Sequence, residues 1–330
     1  MRRNPFLDLF LAFSVFLGFF SALTSIAPGQ QLTDPNFDAK VSRPAYLSKH
    51  PKVRFDEAHF NVHTTTGTYK PFVTLVTNDG YQVTASRRKF SSKVLKGYDI
   101  LVIANALGAQ DPDTPQAGNP AFSEEECDVV RDWVHQGGAL LLITDHEPAG
   151  AAAANLGRRF GIGMSKGTTY RKSALFKSGL GPPPWFLFSR ANGLLGEHAI
   201  TKGRDASERL NRVLDFTGQS LIGPSTAVEF LKLDDDAFDV ADGTLLEKLL
   251  PEKIMEVAKP ASGRAQGIAF SFGKGRVVTT GEAAMLTAQV DRYRDAEGKD
   301  QESRSGMADS RFDDKQLVLN IMHWLSGLLK

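Results

Sequence analysis

Long apolar runs alternate with stretches of helical periodicity along the chain, and this pattern predicts strands separated by helices. The runs YDILVIANAL (98–107) and ALLLITDHEP (139–148) begin with consecutive apolar positions, which is typical of strands buried on both faces of a parallel sheet. The segment FSEEECDVVRDWVHQGG between them has a helical period, with Ser123 and Glu126 at the positions of a capping box. The pattern therefore predicts an α/β fold with a doubly wound, mostly parallel sheet.

Further elements extend this pattern on both sides. KVRFDEAHF (52–60) predicts the first strand, and AGAAAANLGRRFGI (149–162) predicts an Ala-rich helix. RVLDFTGQSL (212–221) predicts another strand, and the pair AQGIAFSF and GRVVTTG predicts a C-terminal β-hairpin. The chain closes with DKQLVLNIMHWLSGLL, which predicts an amphipathic helix.

Residues 1–29 predict an export signal or a membrane anchor. Arg2 and Arg3 precede an uncharged apolar run that ends at Ala27, which is the order found in a signal peptide and is also long enough to span a bilayer. Both alternatives place the domain in the periplasm or the extracellular space, and the membrane is a partner if the segment stays uncleaved. Residues 30–51 predict a polar linker, and residues 52–330 predict one domain with an irregular insertion at 164–196 and a polar loop at 291–311.

Charge and cysteine content exclude several classes of protein. Lys and Arg total 39 and Asp and Glu total 38, which gives a formal net charge of +1, and no long basic run occurs. Nucleic acid is therefore not an expected partner. Cys127 is the single cysteine, so an internal disulfide framework and a multi-cysteine metal site are excluded.

Polar residues follow directly after the predicted strands, where open α/β sheets bind their ligands. We expect these residues to lie on one rim of the sheet, although each of them could instead cap a helix or anchor a loop. The candidate catalytic residues are Asp145, His146, His59 and Glu282, and the candidate ligand-binding residues are Asp56, Glu57, Asn61, His63, Asn105 and Glu147.

Two kinds of chemistry are open to these side chains. His59, His63 and His146 beside carboxylates are the ligand types of a divalent metal site, but His59 and His63 are four residues apart in a segment read as strand end and loop, where that spacing does not place them on one face. Proton transfer by His146 or His59, oriented by Asp145 or Asp56, is the alternative.

The order of the elements, together with several short motifs, resembles the class I glutamine amidotransferase-like superfamily over residues 52–330. The chain resembles especially the exported, uncharacterised members and the similar domain of some gliding-motility and intraflagellar-transport proteins. It implies a flavodoxin-like fold. The motifs that carry it are FDEAHFN, YDILVIANAL, HQGGALLLITDH, EHAITKGR, GKGRVVTTGEAAML and DKQLVLNIMHWLSG.

The sequence departs from that superfamily at its catalytic turn. The enzymes carry a cysteine nucleophile after the strand that here reads ALLLIT, whereas this chain has Asp145 and His146 there, so glutamine hydrolysis is not expected. The resemblance implies a non-catalytic binding or scaffolding domain, a pseudoenzyme, for a small-molecule, glycan or protein ligand. A hydrolase, with or without a metal, is an alternative, and an accessory subunit of a membrane transport or motility assembly is another.

Overall fold

The computed structural model of the chain describes residues 30–176, 185–294 and 298–330. The predicted signal or anchor at 1–29 lies outside the described residues, as does part of the predicted insertion at 177–184. The strands are β1 (Gln30–Thr33), β2 (Lys52–Asp56), β3 (Gln82–Ser86), β4 (Ile100–Ala104), β5 (Ala139–Ile143), β6 (Gly163–Met164), β7 (Thr168–Arg171), β8 (Phe186–Ser189), β9 (Arg212–Asp215), β10 (Leu221–Ile222), β11 (Val228–Lys232), β12 (Ala237–Val240), β13 (Lys259–Pro260), β14 (Ala265–Phe272), β15 (Gly275–Thr280), β16 (Ala288–Arg294) and β17 (Asp300–Gly306).

Helices connect most of these strands. They are α1 (Lys70–Asn78), α2 (Ser92–Leu95), α3 (Glu124–His135), α4 (Ala149–Arg159), α5 (Lys172–Leu175), α6 (Ala199–Lys202), α7 (Leu245–Lys248), α8 (Pro251–Val257) and α9 (Asp314–Leu325). Short 3-10 turns lie at Pro115–Gly118, Ala206–Glu208 and Ala284–Leu286. Within the described part of the chain, no helix has the length and apolar character needed to cross a membrane.

The central sheet has the strand order β3-β2-β4-β5-β15-β14-β10-β6, and β11 pairs with β14. The strands from β3 to β15 in this order pair in parallel, and the strands beyond β15 pair antiparallel. The predicted α/β class with a mostly parallel sheet is therefore confirmed. The predicted hairpin is β14–β15, in which Phe272 lies opposite Gly275.

Both faces of the parallel strands are covered, which explains why their sequences are apolar at consecutive positions. Leu141 packs in a core with residues of α1 and α9, whereas its neighbours Leu140 and Leu142 pack with α3 and α4 on the opposite face. The predicted capping box of α3 is present, because Ser123 Oγ accepts from the Glu126 N–H and the Glu126 carboxylate accepts from the Ser123 N–H.

Residues 30–51 pack on the domain, so the prediction of a linker is wrong for this segment. β1 pairs antiparallel with β16, with Leu32 opposite Val290. The Tyr46 hydroxyl donates to Ser326 Oγ beyond the end of α9 (2.9 Å), and the Ala45 N–H donates to Asp79 Oδ1 (2.7 Å). Polar side chains anchor this segment, and that kind of anchoring leaves no periodic signal in a sequence.

Two other predictions need correction. The polar loop predicted at 291–311 overlaps the hairpin β16–β17, whose pairing runs from Ala288 opposite Gly306 to Arg294 opposite Asp300. The single strand predicted at 212–221 is two strands in different sheets, since β9 pairs with β8 and β10 pairs with β14. In the predicted insertion, the described residues form β7, α5 and β8, with β7 in a small sheet with β12 and β13.

Candidate functional site

The carboxyl ends of β4, β5 and β15 bring three of the predicted site residues to one rim. Asn105, Asp145 and Glu282 follow these strands within two residues, and the backbones are joined by hydrogen bonds from Asn105 N–H to Ile143 O (3.1 Å) and from Thr144 N–H to Thr280 O (2.9 Å). Parallel strands end at the same edge of a sheet, so the convergence that the sequence predicted is present for this subset.

Asn105 links His63 to Asp145. Its Nδ2 group donates to His63 Nε2 (3.2 Å) and to Asp145 Oδ2 (3.4 Å), while its own Oδ1 is buried and has no hydrogen-bond partner among the described residues. Because Nε2 of His63 accepts, Nδ1 carries the proton and donates to Thr68 Oγ1 (2.6 Å). Burial lowers the pKa of His63 to about 4, so this ring is neutral at physiological pH.

Glu282 is a carboxyl group that holds a proton near neutral pH. Burial, and next the repulsion of Asp145, raise its pKa to about 8. Its oxygens accept from the N–H groups of Ala284 (2.6 Å) and Met285 (2.8 Å), which fixes the side chain at the 3-10 turn after β15. Burial also raises the pKa of Asp145, although the side chain is still 17% exposed.

Two further carboxyl groups act on this rim, and the sequence analysis did not select them. Asp215 ends β9 and is fully buried, and neither of its carboxyl oxygens has a side-chain or backbone hydrogen-bond partner within the described ranges. Asp314 begins α9, with Oδ1 accepting from the Leu214 N–H (3.2 Å) and Oδ2 unpartnered in the same ranges. Burial raises the pKa of both groups well above the usual range, and repulsion by Glu282 raises it further. We call Asp145, Asp215, Glu282 and Asp314 the acidic cluster.

A weak sequence signal existed for both missed residues. Asp215 is the only charged residue in the apolar stretch VLDF. An aspartate is seldom fully buried without a partner, so its position within such a stretch is a signal of function. Asp314 directly precedes an apolar helix, where an acidic residue is ordinarily interpreted as a helix-terminal residue. Neither follows a strand of the central sheet, so the strand-end criterion could not find them.

His146 is the most exposed of the predicted residues at this rim, with 48% of its side chain accessible. Nδ1 lies 2.8 Å from the carbonyl oxygen of Glu147, which can only accept, so Nδ1 carries the hydrogen in the neutral ring and Nε2 is the basic nitrogen. Nε2 lies 3.8 Å from Asp145 Oδ1, beyond hydrogen-bond distance. The imidazole is therefore available to a ligand.

Asp56, His59 and Asn61 lie together in a separate, buried group. His59 Nδ1 contacts both oxygens of Asp56 (3.0 and 2.9 Å), and Nε2 contacts Glu126 Oε1 (2.9 Å). Burial alone would lower the pKa of His59, but its hydrogen bonds to the two carboxylates raise it. Asn61 Nδ2 donates to Asp56 Oδ2 (3.1 Å). With both ring nitrogens occupied, His59 is a structural cross-link here, and the structure does not place it in a catalytic or metal-binding role.

Glu57 and Glu147 anchor loops. Glu57 Oε1 accepts from the N–H and the hydroxyl of Thr65 (2.9 and 2.7 Å). Glu147 Oε2 accepts from the Thr168 hydroxyl (2.9 Å), and its other oxygen accepts from the Gly243 N–H. Both carboxylates are thus engaged by the protein itself, which is the helix-cap or loop-anchor alternative of the sequence analysis.

The three histidines proposed as metal ligands do not converge. His59 is bonded to Asp56 and Glu126, and His63 is bonded to Thr68 and Asn105, so neither presents a free nitrogen toward His146. Across the residues that the structure describes, no group of three or more His, Cys, Asp or Glu side chains has an arrangement that could hold a metal ion. Cys127 is buried, and burial raises its pKa to about 12.

Backbone strain concentrates at the same edge of the sheet. Within the described ranges, the non-glycine residues with left-handed φ are Phe60 (48°), Asn105 (45°) and Lys166 (69°). The Val62 N–H, two residues after Phe60, donates to Asn105 O (3.0 Å). The Lys166 N–H donates to Gln219 Oε1 (3.1 Å), and this amide in turn donates to the Thr144 hydroxyl (2.9 Å). Strained residues of this kind cluster at functional sites.

Comparison with known proteins shows only distant similarity. No family model matches the chain, and no curated protein matches it. Among solved structures, the N-terminal domain of mmIFT52 is 14% identical, with 84% of this chain and 97% of that chain covered and a TM-score of 0.49. A cytoplasmic protein from Salmonella typhimurium LT2 is 14% identical, with 70% and 87% covered and a TM-score of 0.40. At these values the similarities carry no argument about function.

Proposed function

We propose that this chain is a non-catalytic ligand-binding domain whose ligand contacts the rim at Asn105, Asp145 and His146 and carries a positive charge. The observation that supports it is the acidic cluster, three buried carboxyl groups and the partly exposed Asp145, linked to one another by electrostatic repulsion. Within the described residues, none of the four forms a salt bridge with a lysine or arginine, and the nearest basic side chain at the rim is the exposed His146.

The electrostatics of the cluster favour a cation. Buried carboxylates repel each other, and without a basic partner they take up protons. A cationic group that reaches Asp145 supplies the same neutralisation as a proton and gains Coulomb energy in a site of low dielectric. Asn105 Oδ1, buried and unpartnered beside Asp145 in the described structure, is a further acceptor for a hydrogen-bond donor.

The members of the cluster differ in exposure, so they are expected to affect a ligand in different ways. Asp145 and His146 reach the surface, whereas Asp215, Glu282 and Asp314 are almost fully buried behind them. A ligand therefore touches Asp145, His146 and the edge of Asn105, and the deeper carboxyl groups act through their field.

The family and location remain part of this proposal. The chain is an exported member of the class I glutamine amidotransferase-like superfamily with a flavodoxin-like fold, in the periplasm or outside the cell, and residues 9–27 are its signal or anchor. The absence of a cysteine at the turn after β5 supports a binding or scaffolding role over amidotransferase activity. Such a domain would serve as an accessory subunit if its ligand belongs to a membrane assembly.

Paired probes that differ by one charge test the proposal. Glucosamine and glucose share a ring and differ in an ammonium group, and putrescine is a second cationic probe. We expect glucosamine or putrescine to raise the Tm of the full chain at pH 6.5, where both carry ammonium groups, by about 2–4 °C near tenfold Kd, and glucose to leave it unchanged. Asp145→Asn should abolish the shift, and the exposed control Asp132→Asn should keep it. Equal shifts from the charged and neutral sugars, or a shift that survives in Asp145→Asn, would contradict a cation-binding rim.

The exposed His146 supports a second candidate function. Its basic Nε2 next to Asp145 suits a general base that activates water, which would make the domain a hydrolase. Turnover of chromogenic ester or glycoside substrates that is lost in His146→Ala, with an unchanged Tm, would favour the hydrolase over the binding domain.

A further inference from the structure

A buried arginine, Arg54, lies on β2 and is opposite in charge to the acidic cluster. Arg54 is only 7% exposed, yet its guanidinium forms no ion pair with any residue that the structure describes. One terminal nitrogen donates to Ser86 Oγ, and the Nε–H is buried with no partner among those residues. The guanidinium carbon lies 5.1 Å from the centre of the Tyr98 ring, which supplies a cation–π contact.

A buried guanidinium without a carboxylate is unusual. Arginine stays charged in proteins, and a buried charge is ordinarily paired because its desolvation is costly. A hydroxyl and an aromatic face replace only part of the lost hydration. The unpartnered Nε–H therefore points to a missing anion.

The segment that passes beside Arg54 is rich in basic residues. Residues 81–98 contain five basic residues and no acidic one. Arg87 lies 3.5 Å from Glu57 Oε2, whereas Arg88 and Lys89 are exposed and form no ion pair within the described part of the chain. Arg88 belongs to the turn that Arg54 reaches, because the Arg88 N–H donates to Ser86 Oγ (3.2 Å), the same oxygen that accepts from Arg54.

We propose that Arg54, the Ser86–Lys89 turn and its basic side chains bind a phosphate group. The planar guanidinium matches the geometry of phosphate oxygens, and the exposed Arg88 and Lys89 add attraction and access from solvent. The site lies on β2 and at the turn that follows β3, and its residues are separate from the acidic cluster, so it does not depend on the function proposed for that cluster. The phosphate belongs either to a soluble molecule or to a lipid headgroup.

Phosphate-dependent stability tests the site directly. With the full chain at constant ionic strength, we expect inorganic phosphate to raise the Tm by roughly 3 °C near tenfold Kd, relative to chloride. Arg54→Met, which keeps the length of the side chain and removes the charge, should abolish the shift, and Arg54→Lys should weaken it. The control is Arg158→Met, which removes an exposed arginine from the last turn of α4 and should leave the shift intact.

Two further experiments complete the test. One replaces Arg54→Met if that variant does not fold, and the other distinguishes a soluble phosphate from a lipid headgroup. If Arg54→Met does not fold, the exposed double variant Arg88→Gln/Lys89→Gln takes its place and should reduce the shift severalfold. Co-sedimentation with phosphatidylcholine vesicles containing phosphatidylglycerol, but not with pure phosphatidylcholine, would assign the site to lipid headgroups if it requires Arg54. A Tm and a vesicle affinity that are the same in the wild type and the Arg54 variants, or no response to phosphate and vesicles at all, would overturn the proposal.

Discussion

Phe60 shows how single residues are held at the rim of the sheet. Its φ of 48° is strained for a bulky side chain, and the ring is 54% exposed, so burial of the ring does not account for the conformation. The two neighbours impose it: His59 is locked by Asp56 and Glu126, and Asn61 accepts from the His59 N–H (3.1 Å) while its amide donates to Asp56. The loop is thus determined by its buried residues, and Phe60 adapts to them.

A comparison of glycine and alanine at position 60 measures this strain. Both Phe60→Gly and Phe60→Ala lose the ring, but only alanine retains a Cβ in the left-handed region, where it costs about 1 kcal/mol. We therefore expect Phe60→Gly to be more stable than Phe60→Ala by about 0.5–1 kcal/mol in chemical denaturation. At the exposed Val62, which has no positive φ, the order should be reversed. The same order at both positions would show that the loop relaxes around residue 60.

Several site residues were predictable from the sequence and others were not, for a physical reason. Asn105, Asp145 and Glu282 were selected because they follow strands, and strand ends of a parallel sheet converge. The same criterion selected Asp56, His59 and Glu57, which face inward and bond to neighbouring loops. A sequence reveals which residues stand at the edge, but the direction of each side chain depends on the loop that follows.

At the scale of elements, one carboxylate joins three segments of the chain. Glu126 completes the capping box of α3, accepts from the Phe90 N–H after β3 (2.9 Å) and contacts His59 after β2. The rings of Phe90 and Phe122 lie 4.7 Å from that of His59 and close the group from solvent. The capping box was visible in the sequence, but the two long-range contacts of the same side chain were not.

Neutralising Glu126 should therefore cost more than the loss of a helix cap. Glu126→Gln removes the negative charge that faces the buried His59 and places an NH2 group against the Ser123 N–H, because the single amide oxygen is needed for the His59 and Phe90 contacts, so we expect a loss of about 2–4 kcal/mol in the free energy of unfolding. The matched control is Glu125→Gln in the same first turn, where the side chain is exposed and the change should stay within about 0.5 kcal/mol. Chemical denaturation measures both. Similar losses in the two variants would contradict the bridging role of Glu126.

Elements without apolar periodicity were the ones that the sequence analysis missed. β17 reads DQESRSG, a charged segment that becomes a strand because it pairs with β16, which also pairs with β1. Pairing with a neighbour outweighs local propensity at such an edge. The central strands could be predicted from the sequence, since consecutive apolar residues are typical of strands buried on both faces.

At the scale of the whole molecule, the acidic cluster joins parts that are distant in the sequence. Asp145 and Glu282 follow strands of the central sheet, Asp215 belongs to the two-stranded sheet of β8 and β9, and Asp314 belongs to the closing helix. Each of the four has its pKa raised, so each holds its proton to a higher pH in the folded protein than in the unfolded chain. The cluster therefore makes the stability of the fold fall as the pH rises.

The variant Asp215→Asn should make the protein more stable, and the gain should grow with pH. In the unfolded chain Asp215 titrates near 3.8, the ordinary pKa of an aspartate, whereas its folded pKa is well above that value. The contribution of Asp215 to the stability is therefore fully present below about pH 4 and is lost by up to about 1.4 kcal/mol per pH unit as the pH rises toward the folded pKa. Asparagine cannot lose a proton, and its side chain keeps an oxygen that can accept from the backbone of Phe186, the weak contact that partly offsets the raised pKa of Asp215. We expect the free energies of unfolding of variant and wild type to be similar at pH 4 and the variant to gain an advantage that widens as the pH rises to 8. Asp128 is the matched control, since its hydrogen bond to Arg159 lowers its pKa and Asp128→Asn should lose stability above pH 4. A variant that is less stable than the wild type at pH 8 would mean that Asp215 is ionised and partnered in solution, and the electrostatic basis of the cation-binding rim would fall with it.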